Sequence, residues 1–500
     1  MQPVGGRSRR LVRGTAINAV GAVVGQAIEF ATVAVILRRT GAVAFGVVVL
    51  AQGWILLPYV FESGIGQQVV RAVAARGDER RDADIVISTA MLLYMLLGFA
   101  AAAVGVGIAY VALEWLVHLS DSLDGPAGTS FALIAVAGGL RVGSGFVPRA
   151  LVGATRLPAL RLVGLVRQLV TLGAVALLVD GPADGLRGAG IAILIGELAA
   201  CGIGLTLVVP REVRPRLADV SSASIRCQIS NAAPMTAAGG IGVFSTRVDP
   251  LIVAIALGPA ATATYGIAVR AYDAVRSIVE LISLVVMPET ARLIAAGSLR
   301  RIQSLYLRAL TYCVVVAWPA AFAVAIFGDA ALNVITDESL PDGSSALIWS
   351  MLLVLVVTPA AVGFYVITGA DLVREVLPAQ LRAAVATLIV ELVLIKTVGV
   401  GAVFLGSAVG ALLLTRRYLT VVSNSCRCST VDLMRVRTSV VIAVGALGVT
   451  LAVVRAARLS VNSSLCLLAV ALLGYFGWCA FEFKSDWEGL RRPAQSTRSL

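Results

Sequence analysis

Histidine and lysine are almost missing from this chain. Of its 500 residues one is a histidine, His118, and two are lysines, Lys396 and Lys484; arginine supplies the rest of the basic charge. A single histidine leaves the commonest general acid–base chemistry little to work with. The chain has no GxxxxGK[ST] loop to cradle phosphates and no HExxH zinc helix, so ATP hydrolysis by a P-loop and a thermolysin-like metal centre are excluded. Cysteines number seven and lie scattered in or beside apolar runs, which implies no disulfide scaffold. Cys426 and Cys428 form a CxC pair in a basic loop, but zinc takes four ligands and no partners accompany them. Charged residues make up only 14% of the chain.

Apolar residues are what the chain has in excess, at 58%. A globular protein of this length does not carry that share; a polytopic membrane protein does. Runs of roughly 20 apolar residues, the length that crosses a hydrocarbon core, recur about fourteen times. The first ends at Leu37 and the second near Phe61. Others cover Ile85–Leu113, Phe131–Leu151, Leu162–Val179, Gly190–Val209, two spans between Asn231 and Met287, Tyr306–Phe327, Ala346–Thr368, Ala383–Ile395 and Gly401–Leu414. Two more finish near Phe481. The expected organisation is a six-helix bundle over residues 1–210, a linker at 211–230, a second six-helix bundle at 231–415, a basic loop at 416–438, helices 13 and 14 at 439–483 and a tail at 484–500.

The basic residues alternate with the spans. Arg7, Arg9, Arg10 and Arg13, the Arg71–Asp84 loop, the Pro210–Ser230 connector, Arg292 with Arg300 and Arg301, and Arg416–Arg437 all fall on one side. Three connections on the other side, Glu114–Ser130, Gly258–Thr264 and Gly328–Ser345, contain no lysine or arginine. This is the positive-inside pattern. With an even number of spans it puts both termini in the cytoplasm, and it explains the net charge of +12 without nucleic acid. No loop on the outer side is long enough for a soluble domain.

Phe244–Arg292 carries the strongest functional signal. Arg247, Asp249, Arg270, Asp273, Arg276 and Glu280 stand in two apolar runs. Each costs roughly 2.5–3.5 kcal/mol at a helix centre facing lipid, so they must face protein or water. At 100° per residue Arg270, Asp273, Arg276 and Glu280 share about 120° of arc. That face reads as the wall of a hydrated cavity. It also reads as a ladder in which neighbours at i,i+3 and i,i+4 neutralise one another. Pro250 predicts a bend just before it. Arg141, Glu29, Glu197 and Glu391 also lie in or near the ends of apolar runs. Glu29, Glu197 and Asp249 are candidates to bind a coupling H+ or Na+, and an ion pair with an arginine of another helix is an equal expectation for Glu29 and Glu197. Glu391 reads as peripheral. No cofactor, metal or catalytic residue is expected.

Two stretches repeat. Asn18 to Arg71 and Asn231 to Arg292 each start after an arginine, join two spans through a glycine, small residues and an aromatic-glycine pair (Phe45-Gly46, Tyr265-Gly266), and end in an arginine-bearing segment. An even number of spans separates them, which predicts a parallel repeat with the substrate site between halves.

RVDPLIVAIALGPAATATYGIAVR followed by VVMPETARL, and VILRRTGAVAFGVVVLAQGWILLPYVFESGIGQQVVRAVA, resemble the signatures of polysaccharide flippases in the multidrug/oligosaccharidyl-lipid/polysaccharide exporter superfamily. The specific residues concentrate in Val35–Ala74 and Arg247–Leu293. The resemblance implies an all-α membrane protein with two six-helix bundles around a cavity and two further helices. It implies a polyprenyl-diphosphate-linked oligosaccharide moved from the inner to the outer leaflet, with polysaccharide polymerases and glycosyltransferases as working partners. Arg141, Arg247, Arg270 and Arg276 become candidates to receive the diphosphate, with Asp273 and Glu280 beside them. A multidrug exporter of the same superfamily and a polyprenyl-sugar polymerase, ligase or glycosyltransferase are the alternatives; the latter need a large catalytic loop that the chain lacks.

Overall fold

The structure, a computed structural model, describes residues 4–55, 62–75, 80–111, 121–154, 156–208, 220–283, 285–335, 340, 342–426, 438–456 and 461–482. Every regular element among them is a helix. Backbone N–H and C=O groups find no water in a bilayer core, and a helix satisfies them internally. In chain order the helices are α1 (Val4–Ile55), α2 (Glu62–Ala75), α3 (Arg80–Val111), α4 (Asp121–Gly143), α5 (Phe146–Gly153), α6 (Leu157–Leu178), α7 (Pro182–Val208), α8 (Ser222–Arg247) and α9 (Asp249–Leu257). Then come α10 (Pro259–Ser283), α11 (Val286–Ala295), α12 (Leu299–Ile335), α13 (Gly343–Gly369), α14 (Val373–Val398), α15 (Gly401–Cys426), α16 (Thr438–Ala456) and α17 (Val461–Glu482). Nine helical stretches among the described residues are long and apolar enough to cross a membrane. His118 and Cys428 lie outside the described residues, as does the side chain of Cys426.

Breaks fall where the sequence has the residues to make them. α8 stops at Arg247 and α9 starts at Asp249, immediately before Pro250, as the proline predicts. α1 is interrupted at Gly41, with φ 81° and ψ 169°, and α9 turns into α10 at Gly258, with φ 88° and ψ 176°. Both lie in a region that only glycine enters without strain. The two hairpins that repeat in sequence thus turn through nearly the same backbone conformation. The fourth expected span is two helices, α4 and α5, separated at Ser144 and Gly145. Spans eleven and twelve are longer than their apolar stretches. α14 starts ahead of Arg374 and Glu375 and α15 runs on past Arg416 and Arg417, because charged turns at the end of a span remain helical while their heads reach water.

Two compact units make up the chain. The first comprises Met1–Arg270, Asn333–Ala346 and Asp371–Leu414. Its densest packing joins α3 to α4, α4 to α7 and α6 to α7, with α1 laid against α4, α6 and α7. Tyr94, Ile87, Val69, Leu151 and Phe146 form a core shared by α2, α3 and α5. Arg39 donates to the carbonyls of Ala176 and Val179 at 2.8 and 2.9 Å, capping the C-terminus of α6. Cations suit that end of a helix, which gives Arg39 a structural job.

The second unit comprises Ala271–Leu332, Leu347–Ala370 and Thr415–Leu500. Its polar groups act as glue between helices. The Tyr306 hydroxyl donates to the carbonyl of Pro359, inside α13, at 3.3 Å. Tyr475 donates to the carbonyl of Val315 at 3.1 Å, and Ser439 to Glu482 at 3.2 Å.

Candidate substrate and coupling sites

Among the described residues, four groups of ionisable side chains stand within the spans, three in the first unit and one in the second. The first surrounds Arg270 on α10. The hairpin after Gly41 and the hairpin after Gly258 cross at glycines: a β-carbon on Gly46 would collide with the Pro259 carbonyl, and one on Gly266 with Val49. That close approach brings Arg270 onto α1. Its Nε lies 3.5 Å from Glu29 Oε1, its Nη2 donates to Gln52 Oε1, and its Nη1 donates to the Gly266 carbonyl at 2.8 Å. The guanidinium also stands 5.7 Å from the ring centre of Phe45, a cation–π contact. Only 12% of the arginine side chain is exposed. Arg270 and Glu29, candidates for different tasks in the sequence, are partners.

The second group is Glu197 of α7 between Arg141 of α4 and Arg167 of α6. Glu197 Oε1 is 3.8 Å from Arg141 Nη1 and 3.6 Å from Arg167 Nη1. Gly196 makes this possible, since a side chain there would meet Thr171 and the Arg167 carbonyl. The ion pairing expected of Glu197 is therefore made twice over. Arg167 was legible and was missed: it stands in the middle of the apolar run Leu162–Val179.

The third group joins Asp249, Tyr265 and Glu391. The Tyr265 hydroxyl donates to Asp249 Oδ2 at 3.2 Å, and its ring stacks on Phe404 at 5.8 Å. Glu391, on α14, is not peripheral. It is fully buried, with Gly406 packed against its side chain and Asp249 within electrostatic reach. Neither of its carboxyl oxygens has a hydrogen-bond partner among the described residues. The sequence reading of Glu391 as peripheral is corrected here: Leu392 and Val393 beside it are exposed, but adjacent residues on a helix point about 100° apart, so Glu391 faces inward.

The fourth group lies in the second unit. Arg276 pairs with Glu280 at 2.8 Å and with Asp273 at 3.9 Å, and its guanidinium lies 5.9 Å from the Tyr272 ring. Here the internal ladder is realised, with two carboxylates against one guanidinium. Arg247 ends α8, and its side chain lies outside the described residues. No group of three or more His, Cys, Asp or Glu side chains suited to a metal occurs among the described residues.

An all-helical, membrane-spanning chain with repeated hairpins and charges inside its bundles defines a polytopic membrane protein with a polar interior. Residues 11–294 match the family described as polysaccharide biosynthesis protein, and the chain belongs to that family. No curated protein matches it. Among solved structures it is similar to an inward-facing multidrug resistance MATE family transporter of the MOP superfamily, with TM-score 0.68 and 14% identity over 83% of this chain and 99% of the other. It is similar also to a MOP superfamily transporter from Pyrococcus furiosus, whose binding pocket is described as having reverse polarity, with TM-score 0.63 and 14% identity over 84% and 96%. A MATE protein in the straight conformation gives TM-score 0.60 and 15% identity over 84% and 96%. These similarities establish the fold.

Proposed function

We propose that this protein is a transporter, not an enzyme, that moves a polyprenyl-diphosphate-linked oligosaccharide from the inner to the outer leaflet of the cytoplasmic membrane by alternating access. The observation that carries the reading is the Arg141–Glu197–Arg167 group, where two guanidiniums meet one carboxylate inside a helical bundle. The family match supplies the polysaccharide context. The diphosphate pairs with arginine, whose planar fork matches phosphate oxygens, and the polyprenyl tail stays in lipid. Both termini face the cytoplasm. Moving an anion outward follows an inside-negative potential, worth roughly 2.3 kcal/mol per charge per 100 mV. Asp249 and Glu391 are the best-placed groups to hold a coupling H+ or Na+, since both carboxyls are buried and lie within electrostatic reach of each other. Glycosyltransferases and a polymerase supply and consume such a substrate.

The test is to deplete the protein and identify which lipid-linked oligosaccharide accumulates on the inner leaflet. Flipping of that lipid by the purified protein in proteoliposomes then supports the reading; wild-type protein that leaves the lipid where it started refutes it. A cation-coupled multidrug exporter is the second reading. The acid excess around Arg276 favours it, since two carboxylates there suit an amphipathic cation. Transport of such a cation, with no flipping of the lipid, would decide for it.

A further inference from the structure

We propose that Glu197 is a resident counter-anion, holding Arg141 and Arg167 until a phosphate group displaces it. The proposal rests on the flippase reading above and assigns Arg167 and Glu197 their parts in it.

The geometry points to exchange rather than a fixed bridge. Both arginines approach the same oxygen, Glu197 Oε1, at 3.8 and 3.6 Å. Charge-assisted N–H···O bonds close to about 2.7–2.9 Å. Other pairs in this chain come much closer, as at Arg276–Glu280 (2.8 Å) and Arg292–Glu289 (2.6 Å). Exposure is also uneven. The guanidinium side chains of Arg141 and Arg167 are 36% and 28% exposed, and the carboxylate side chain 10%. The cationic side of the group is open and the anionic side is closed. Two guanidiniums share one carboxylate oxygen, so neither has Glu197 to itself. A diphosphate brings at least two charges and several terminal oxygens, enough to engage both forks at hydrogen-bond distance. The carboxylate then no longer bridges them.

The helices keep this arrangement in place. α7 packs closely against both α4 and α6, and Gly196 seats α7 against Thr171 and the Arg167 carbonyl. Cys201, one turn beyond Glu197 on α7, is half-buried and free, and bonds Ser144 at the end of α4. It is a native reporter beside the group.

The experiment uses the full chain in lipid nanodiscs, with Cys201 retained and the other cysteines replaced by serine. Two probes are titrated at constant ionic strength, inorganic pyrophosphate and farnesyl diphosphate, and Cys201 alkylation is followed. Wild-type protein shows protection of Cys201 by a diphosphate. Glu197→Gln, which keeps size and shape, tightens the half-protecting concentration by about tenfold or more, the scale of one removed competing interaction. Arg167→Gln loosens it by a similar factor, and Arg167→Lys recovers part of the loss. Glu197→Asp, which draws the carboxylate back, falls between wild type and Glu197→Gln and serves if the glutamine variant does not fold. Farnesyl diphosphate protecting at lower concentration than pyrophosphate assigns a lipid carrier; equal potency assigns a free diphosphate. An unchanged or weaker affinity in Glu197→Gln, or protection insensitive to Arg167→Gln, overturns the exchange. Flipping of the lipid-linked oligosaccharide by wild-type protein is measured in parallel. If it flips while Glu197→Gln leaves affinity unchanged, the exchange alone fails; if it neither flips nor binds a diphosphate, the flippase reading fails.

Discussion

Arg270 Nε lies 3.5 Å from Glu29 Oε1, tying the first helix of the chain to the tenth. The two ends of this pair are unequal. The arginine is nearly buried and donates as well to Gln52 and to the Gly266 carbonyl, whereas the glutamate side chain is 41% exposed. Half of the pair is therefore screened by solvent. Arg270→Gln should cost roughly 1–3 kcal/mol of stability, since it leaves hydrogen-bond acceptors unsatisfied. Glu29→Gln should cost under about 1 kcal/mol. Thermal unfolding of both variants in one detergent checks the order, and equal losses would mean the guanidinium is held by Glu29 alone.

Glu391 separates stability from function. A fully buried carboxyl without a hydrogen-bond partner among the described residues contributes little to folding and costs desolvation. Glu391→Met should leave the protein as stable as wild type or more so, by up to about 1–4 kcal/mol. If the carboxyl exchanges a coupling cation, the same variant should lose the dependence of transport on the H+ or Na+ gradient. Melting curves and gradient-driven uptake measure the two effects separately. A large fall in melting temperature would give Glu391 a structural role instead.

Much of this was legible because lipid makes charge expensive. Arg270, Asp273, Arg276, Glu280, Glu29 and Glu197 stood out against apolar runs, and the structure gives each an ionic partner or an ionic neighbour. The break before Pro250 and the hairpin glycines Gly41 and Gly258 were legible for local reasons, since proline removes a donor and glycine alone takes those φ/ψ values. Pairing was not legible. Arg276 had Asp273 and Glu280 within one turn, but Arg270 found Glu29 more than two hundred residues away, through a crossing of hairpins that sequence spacing does not encode. Glu391 was misread for a related reason: its place in the second half of the chain says nothing of which helices its side chain meets, and the structure buries it against Gly406.

The hairpin glycines give a direct test of the repeat. Gly41→Ala and Gly258→Ala each place a β-carbon in a backbone region that costs about 1–3 kcal/mol for other residues. Nothing lies within 4 Å of the added carbon at either position, so crowding does not contribute. Gly173→Ala in α6, equally open but helical, is the control and should be neutral or stabilising by about 0.5–1 kcal/mol. Chemical denaturation of the three variants compares them, and equal losses at residues 41 and 258 are expected because their φ and ψ values agree within a few degrees.

α11 carries a pH-dependent pair outside the spans. Arg292 donates to both carboxyl oxygens of Glu289, from Nε at 2.9 Å and Nη2 at 2.6 Å. These hydrogen bonds, with the adjacent positive charge, hold the Glu289 carboxyl below its ordinary value of 4.5. A depressed value in the folded state stabilises the fold above the ordinary value, and that contribution is lost as pH falls through the folded one. Acidification from pH 5 downward should therefore weaken the wild-type helix at this turn, while Glu289→Gln removes this dependence. Both partners are solvent-accessible, so the effect is small and fades in 1 M salt, where the screening length is about 3 Å. Hydrogen exchange of the α11 amides, followed across this pH range with the intrinsic rate divided out, reads it directly. Identical pH profiles for wild type and Glu289→Gln would show that the pair forms without stabilising the helix.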